Sequence, residues 1–425
     1  MAKIIIVGGG WAGCAAAVSA ANAGADVTLL ERTDMLLGTG LVGGIMRNNG
    51  RFTATEEMIA MGGGDLFEIC DRTARHKNIN FPGHHHASLY DICITPVEVE
   101  NHLKKIGVEL VMEARIARLT LDSTAILSVT DQKDREFIGD VFIDTTGTAG
   151  PVSNCNRYGN GCAMCIMRCP SFGGRISLTA LAGIKERAGK KADGSVGAMS
   201  GSCKLFKESL SKEIQEELGE KGVVIIPIPE ELKEDHLSIK VCQQYALKEY
   251  ADNIILLDTG HAKLMTPFFK LERLRQIHGL EHARYEDPYA GGIGNSMRFF
   301  SIAPRDNSLK VEGIRNLFCA GEKAGLLVGH TEAIVTGVLA GHNSVRCALG
   351  LELLEIPREL SIGDAISYVR EEIQTENDTG SKYTFSGSVY FDRMKLLHLY
   401  DTDALQIHGK VKQLGMKDIF LQKLL

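Results

Sequence analysis

The sequence predicts an α/β fold whose main domain is built from two separate segments of the chain. A β-branched apolar run, a glycine-rich turn and an alanine-rich stretch follow one another at residues 3–24. Apolar runs ending in a glycine turn recur at 137–147 and 314–322, and an amphipathic stretch lies between them at 204–221. These patterns indicate a two-segment Rossmann domain with an inserted α+β substrate domain. From residue 351 no strand is evident, which predicts a helical C-terminal tail.

The opening of the chain predicts a dinucleotide site. The run "KIIIV" is typical of a strand, and Gly8, Gly10 and Gly13 follow it at G-x-G-x-x-G spacing before an alanine-rich helix. This spacing serves a tight turn, close approach of the backbone to a pyrophosphate, and packing of the helix on the strand. A second strand, "DVTLL", ends at Glu31, where a carboxylate can accept hydrogen bonds from a ribose.

Two later stretches indicate which dinucleotide is bound. "FIGDVFIDTTG" at 137–147 and "IRNLFCAGE" at 314–322 are strand-like, and a helix with small residues follows from about His330. They resemble the returning segments of glutathione-reductase-like flavoproteins, which implies FAD rather than NAD. The FAD contacts implied are Gly147, Gly321, Glu322 and Thr331, with His330 as a catalytic candidate near the flavin.

The expected organisation has four parts. They are a first FAD-binding segment (1–154), an inserted substrate domain with a cysteine cluster (155–296), a second FAD-binding segment (297–350) and a helical C-terminal region (351–425). Within the insertion, a helix is predicted over 204–221 because Leu205, Leu210, Ile214 and Leu218 recur at helical spacing. The strand-like run "VVIIPIP" follows it.

Composition limits the partners and the compartment. The 425 residues are 44% hydrophobic and carry a formal net charge of −6, with Lys and Arg spread along the chain. The charge therefore gives RNA binding no support. Neither a secretory signal nor an apolar run of about 18 residues is evident. We expect a cytoplasmic protein without membrane contact, a homo-oligomer, whose eleven cysteines stay reduced.

Further stretches indicate more closely which flavoprotein families the chain resembles. "GGGWAGCAAA" and the segments at 273–296 and 317–346 resemble the glucose-inhibited division protein A superfamily of FAD-dependent oxidoreductases. The tail at 356–373 and the chain length look most like the folate- and FAD-dependent tRNA (uracil-5-)-methyltransferases. "LLGTGLVGGIMRNNGR" and "GHHHASLYD" resemble instead the FAD-dependent oxidoreductases that include heterodisulfide-reductase-type flavoproteins.

The stretch "CNRYGNGCAMCIMRCP" carries three alternative interpretations. Cys155, Cys162, Cys165 and Cys169 partly match ferredoxin spacing, which suggests a [4Fe–4S] or zinc site. The family resemblance instead maps a catalytic cysteine onto Cys162 or Cys169. A plain apolar loop is the third alternative. The methyltransferases also use an early cysteine, and residues 38–50 contain none.

Histidines supply further candidates. "GHHHA" at 83–87 is followed by Asp91, which could hold a histidine as a general acid–base near the flavin, or the segment could be a solvated turn. His330 and Glu332 open the last flavin helix, where their alternative role is helix capping.

The sequence thus predicts a FAD-dependent oxidoreductase, with a cysteine near the flavin, acting on a small molecule or a redox partner protein. One alternative is a folate- and FAD-dependent RNA uracil-5 methyltransferase-like enzyme that uses NAD(P)H as reductant. Another is a FAD and iron–sulfur electron-transfer subunit of a larger complex.

Overall fold

The structure is a computed structural model that describes most of the chain. The described residues are 1–147, 172–190, 203–234, 237, 245–265, 269–286, 300–375 and 382–425, with the backbone of 198–199 and 297–298. Cys155, Cys162, Cys165 and Cys169 lie outside this set, as does the glycine-rich stretch at 289–295. The predicted boundaries near 154 and 296 also fall there, and so the domain division stays a prediction.

The strands are β1 (Lys3–Val7), β2 (Asp26–Leu30), β3 (Ile45–Met46), β4 (Ala74–Phe81), β5 (His84–Tyr90), β6 (Glu109–Val111), β7 (Ile116–Asp122), β8 (Ala125–Asp131), β9 (Glu136–Ile138), β10 (Val141–Asp144), β11 (Arg187–Ala188), β12 (Ala198–Met199), β13 (Cys203–Leu205), β14 (Val223–Pro227), β15 (Asn253–Asp258), β16 (Ala262–Leu264), β17 (Met297–Arg298), β18 (Ser301–Ile302) and β19 (Leu317–Cys319). The helices are α1 (Trp11–Asn22), α2 (Gly50–Ala60), α3 (Asp65–Arg72), α4 (Thr95–Lys105), α5 (Leu178–Leu181), α6 (Lys212–Lys221), α7 (Glu249–Asp252), α8 (Leu271–Leu274), α9 (His330–Ala348), α10 (Ser361–Gln374), α11 (Ser388–Leu396) and α12 (Ala404–Gln413).

A parallel five-stranded sheet forms the centre of the main domain. Its order is β19–β10–β1–β2–β6, with Ile5 opposite Thr28 on one side and Phe142 on the other. The late strand β19 pairs with β10 through Phe142 and Leu317. The isoleucines of β1 are fully buried, as expected for a parallel sheet covered on both faces. The predicted α/β fold with a returning second segment is therefore confirmed.

Helices α1 and α9 pack against each other through small residues. A Cβ atom at Gly337 would overlap the carbonyl oxygen of Ala12, and one at Gly341 would overlap that of Ala16. Since the contacts advance by four residues in both helices, α1 and α9 run parallel at close range. Their amino ends therefore lie on the same side of the domain.

The inserted region contains an antiparallel sheet with a core of its own. The sheet order is β13–β16–β15–β14, and α6 packs beside it. The helix predicted over 204–221 is wrong in its first half, because Leu205 lies in strand β13 and the α-helix begins only at Lys212. Leu205 still reaches the same core as Leu218, and both are fully buried. The predicted strand at "VVIIPIP" is confirmed as β14.

Smaller elements complete the fold. Strands β3, β5 and β4 form one three-stranded sheet, and β7, β8 and β9 form another. The predicted helical tail is confirmed, because α10, α11 and α12 are the regular elements described after residue 351. No helix in the described part of the chain combines the length and the apolar character needed to cross a membrane.

Candidate functional site

The residues predicted to bind the cofactor meet at one edge of the parallel sheet. Gly8 directly follows β1, Glu31 follows β2, Gly147 comes three residues after β10, and Gly321 comes two residues after β19. Because these strands are parallel, their carboxyl ends share one edge, and the strand order reverses on either side of β1. Ligands of open α/β sheets bind at such a switch point.

The glycine turn is shaped by backbone contacts. Gly8 has a φ of +109°, and a Cβ atom there would lie 2.5 Å from the carbonyl oxygen of Thr145. A Cβ atom at Gly13 would overlap the carbonyl oxygen of Gly8, so this glycine permits the close packing of α1 on the turn. Gly10, by contrast, has no neighbouring atom within 4 Å of its Cβ position. The open space at Gly10 is on the side from which a ligand can approach the backbone.

Glu31 is buried and already orients the turn. Its Oε2 accepts a 2.7 Å hydrogen bond from the amide of Gly9. Its Oε1 accepts hydrogen bonds from the amide and hydroxyl of Thr33 at 2.8 and 2.9 Å. Oε1 thus already accepts two bonds, whereas Oε2 can accept one more, and contact with a ribose stays a prediction for this residue.

The returning segment places the predicted flavin contacts around the start of α9. Gly321 has a φ of +65°, and its amide donates to Thr336 Oγ1 at 2.9 Å. Glu322 is half-buried, and Thr331 is fully buried in the first turn of the helix. Gly147 has a φ of +71° and open space beside it. Their contacts with FAD stay predictions.

His330 begins α9, as predicted, and belongs to an aromatic group. Its ring centre lies 6.3 Å from that of Trp11 and 6.2 Å from that of Tyr90. The Tyr90 hydroxyl donates to the carbonyl of Gly40 at 2.7 Å and lies 3.4 Å from Nδ1 of His330. Gly43 lies so close to the imidazole of His330 that a Cβ atom on Gly43 would overlap the ring.

The sequence analysis missed Trp11 and Tyr90. Trp11 lies between the second and third motif glycines, at a position that the motif leaves unspecified. Its ring meets that of Tyr90 edge to face, with centres 5.6 Å apart. Burial raises the pKa of the Tyr90 hydroxyl well above its ordinary value, so this group is a stable hydrogen-bond donor. The tryptophan at an unspecified motif position is the only sequence signal that could have found them.

Glu332 has a structural role that neither sequence alternative contained. Its buried carboxylate pairs with Arg51 at 3.2 Å and accepts hydrogen bonds from the Thr384 hydroxyl and the Phe385 amide at 2.7 and 2.8 Å. The guanidinium of Arg51 also contacts Asn48. This network joins α2, α9 and the segment before α11.

The histidine run does not form the predicted pair with Asp91. That carboxylate instead binds Arg75 at 2.9 Å and the amide of Cys93 at 2.8 Å. His84 is fully buried and lies 2.9 Å from the Asn48 side chain, whereas His85 is exposed. The acid–base role with Asp91 is therefore wrong, and the alternative of a solvated turn is wrong for His84, which lies buried in strand β5.

Cys14 lies beside the glycine turn and Cys319 ends strand β19, and both are buried thiols. Cys14 Sγ lies 3.4 Å from the carbonyl of Gly9, and burial raises its pKa far above the ordinary value. Burial also raises the pKa of Cys319 to about 12. Neither is a thiolate near neutral pH. Among the described residues no cluster of His, Cys, Asp or Glu is arranged to hold a metal ion.

The residues at the sheet edge fit a bound FAD. Gly10 and Gly329, which precede α1 and α9, carry no side chain that could cap the helices. The first-turn amides of both helices can therefore face an acceptor from outside the chain. The indole of Trp11 is buried beside Tyr90 and Gly40. The open space at Gly10 and the two uncapped helix starts suit a dinucleotide rich in hydrogen-bond acceptors.

Comparison with known proteins identifies the family. A family model described as "Glucose inhibited division protein A" matches residues 3–254 and 248–352. The GidA structure from Aquifex aeolicus in its form II crystal covers 98% of this chain and 74% of its own, at 16% identity and a TM-score of 0.69. The form I crystal gives a TM-score of 0.61 at 15% identity.

Two curated relatives match over a shorter stretch. Both are named methylenetetrahydrofolate–tRNA-(uracil-5-)-methyltransferase TrmFO. The protein from Symbiobacterium thermophilum is 35% identical over 99 residues, and that from Enterococcus faecalis is 36% identical over 98. Each alignment covers 22% of this chain and about a fifth of the relative's length, 21%. The family model spans most of the chain, and the chain belongs to the glucose-inhibited division protein A family of FAD-dependent enzymes.

Proposed function

We propose that the chain is a FAD-dependent oxidoreductase whose flavin lies at the amino end of α9. One observation carries the proposal, namely that the open glycine turn and the uncapped starts of α1 and α9 meet at the switch point of the parallel sheet. A FAD molecule extended along this edge would place its pyrophosphate at α1 and its flavin at α9.

Each residue then has a distinct task. Gly8, Gly10 and Gly13 shape the turn that receives the pyrophosphate. Glu31 accepts a hydrogen bond from the ribose. The flavin end of the cofactor is held by Gly147, Gly321, Glu322 and Thr331. The cofactor supplies hydride or electron transfer when it is bound. His330, half-buried and beside the Tyr90 hydroxyl, is the side chain that gives or takes a proton during this exchange.

Cofactor analysis of the purified protein tests this function directly. We expect one FAD per chain after reconstitution, and anaerobic bleaching of the flavin by NADH or NADPH. His330→Gln should retain FAD but slow turnover, while His398→Gln, at an exposed histidine, should match the wild type. A reconstituted protein that holds no flavin would refute the proposal.

Methylation of RNA is the second candidate function, and the matches to two TrmFO proteins favour it. The expected assay result is transfer of the one-carbon unit from 5,10-methylenetetrahydrofolate to uracil in tRNA, dependent on NAD(P)H. Unmodified tRNA with folate omitted is the matched control. If flavin is reduced but no 5-methyluridine forms, the substrate is a different molecule, either small or a redox partner protein.

Variants of the four clustered cysteines distinguish the two remaining interpretations, an iron–sulfur subunit and an enzyme with a cysteine nucleophile. In an iron–sulfur electron-transfer subunit, replacing any one of Cys155, Cys162, Cys165 and Cys169 should remove the iron, because four thiolates hold such a cluster together. If Cys162 or Cys169 is a nucleophile, one variant alone should lose turnover by orders of magnitude while keeping FAD. An iron assay on anaerobic wild-type protein decides between them. A cytoplasmic location and a homo-oligomeric state complete the proposal.

A further inference from the structure

A group of charged side chains lies where the inserted sheet meets the β4–β5 hairpin of the main domain. We call it the junction cluster. Its basic members are Arg75, Lys204, Lys207 and Lys263, its histidine is His261, and its acidic members are Asp91, Asp258 and Glu286. With Glu208, whose charge also acts on Glu286, the group holds four cationic side chains and four carboxyl groups, and the positive charge is concentrated around His261, where Lys204, Lys263 and Lys207 act.

Two lysines of the cluster lie directly opposite each other. Lys204 on β13 and Lys263 on β16 are cross-strand partners in the antiparallel register and so share one face of the sheet. Like charges in this arrangement are destabilising unless an anion lies between or near them. Lys204 contacts Glu286 at 3.5 Å, and its side chain is still 23% exposed.

The third lysine, Lys207, binds the buried carboxylate of Asp258. Asp258 accepts hydrogen bonds from Lys207, from Arg75 at 2.8 Å and from His76 at 3.1 Å. Although burial alone would raise the pKa of Asp258, the hydrogen bonds from Lys207 and His76 bring it below its ordinary value. Asp258 is therefore ionised near neutral pH and holds Lys207 and Arg75, both of which remain partly open to solvent.

His261 is buried among these lysines with one ring nitrogen unused. Its Nδ1 lies 3.8 Å from Glu286, whereas Nε2 has no hydrogen-bond partner within the described residues. Burial first, and then the charges of Lys204, Lys263 and Lys207, lower the pKa of His261 well below its ordinary value. A buried polar atom without a partner is costly, and a hydrogen-bonding group of a ligand is one that can satisfy it.

The junction cluster is connected to the predicted flavin position. The ammonium group of Lys263 donates to the carbonyl of Val42. The next residue, Gly43, is in close contact with the imidazole of His330. One short loop therefore joins the basic face of the inserted sheet to the amino end of α9.

We propose that the junction cluster binds an oxyanion group of the substrate, a carboxylate or a phosphate, through Lys204 and Lys207, with His261 Nε2 as an additional hydrogen-bonding atom. The oxyanion adds to the negative charge that Glu286 already places beside Lys204. Binding there holds the rest of the substrate toward the loop at Val42 and the start of α9. The inference rests on the proposed function, because it assigns the charge of a substrate that the flavin acts on.

Titration of the FAD-loaded protein with two probes tests the site. Inorganic phosphate and glutarate represent the two sources of the oxyanion, and potassium chloride at equal ionic strength is the blank. We expect saturable heat of binding with at least one probe, together with a shift of the His261 ring resonances in histidine-labelled protein. Binding of phosphate alone identifies a phosphoryl group, and binding of glutarate alone identifies a carboxylate. The absence of saturable binding by both would overturn the proposal.

Charge variants make the test specific. Lys204→Gln should weaken binding about tenfold, the factor that corresponds to about 1.4 kcal/mol. Lys204→Arg should retain binding, because it keeps the charge and the donors. Lys212→Gln removes the same charge from an exposed position on α6 and should bind like the wild type. Equal losses in Lys204→Gln and Lys212→Gln would contradict the proposal, and the resonance shift in the wild type decides the matter if Lys204→Gln does not fold.

Flavin content, measured on the same samples, separates this inference from the proposed function. If FAD is bound and reducible but neither probe binds, only the oxyanion site is wrong. If Lys204-dependent binding is found in a protein that takes up no FAD, the site is present and the proposed function is wrong.

Discussion

At the scale of single residues, Gly10 gives the most direct test of the cofactor site, since its Cβ position is open in the protein itself. Gly10→Val should fold normally but place its side chain where the pyrophosphate approaches the backbone. We expect the variant to lose most of its FAD while its circular dichroism spectrum stays unchanged. Gly219→Val, at a position on α6 that is equally open, serves as the control and should keep the flavin.

Glu31 tests the other end of the dinucleotide. Removing its carboxylate in Glu31→Ala should weaken FAD by about 1–3 kcal/mol, the usual size of a lost hydrogen bond to a charged group. The amides of Gly9 and Thr33 also lose their acceptor, so a modest loss of stability accompanies the change. Flavin fluorescence titration measures the affinity. Unchanged FAD affinity with weakened NAD binding would assign the site to the other dinucleotide.

At the scale of elements, the close contact of α1 and α9 depends on glycine. In Gly341→Val the new side chain would overlap the carbonyl of Ala16, so the helices must separate. We expect a loss of about 3 kcal/mol or more in the free energy of unfolding, together with weaker FAD binding. Gly409→Val on α12, where nothing lies within 4 Å, should leave the free energy of unfolding unchanged or raise it slightly, because valine has a higher helix propensity than glycine. Urea unfolding curves that coincide for the two variants would contradict this account.

Elements with a strong local pattern could be predicted from the sequence, and contacts between distant residues could not. Strand β1 and helix α1 follow from an apolar run, three glycines and a run of alanines. The sequence predicts a helix around Leu205 where the structure has a strand, because apolar residues at helical spacing also fit a strand followed by a helix. The contact of Tyr90 with His330 spans 240 residues of sequence, and only the tertiary fold brings these rings together.

At the scale of the whole molecule, Glu57 links an early helix to the helical tail. This buried carboxyl on α2 accepts hydrogen bonds from the Ser361 amide and hydroxyl and from the Ile362 amide, at 2.8, 2.7 and 3.1 Å. Burial raises its pKa from 4.5 to about 7, outweighing the hydrogen bonds from Ser361 and Ile362 that lower it. The folded chain therefore binds this proton more tightly than the unfolded chain does.

Stability should accordingly fall as the pH rises through the interval between these two values. From about pH 5 to about pH 8 Glu57 should lower the stability by about 2–3 kcal/mol, since the difference in pKa is fully expressed only between the two values. We expect the wild type to lose that much more stability than Glu57→Gln over the interval, measured by urea unfolding at both pH values. Glu359→Gln, at an exposed position, should follow the wild type. Parallel profiles for the wild type and Glu57→Gln would show that Glu57 does not titrate in this range.

The parallel packing of α1 and α9 also bears on how much of this protein a cell can maintain. Two aligned helices bring the partial positive charges of their amino ends, about half a charge each, to one edge of the sheet. A bound pyrophosphate and flavin offset that repulsion in the folded chain alone, so each tenfold rise in free FAD above its dissociation constant adds about 1.4 kcal/mol of stability. Protein prepared without FAD should therefore hold a larger fraction of unfolded, protease-sensitive chains than protein saturated with FAD.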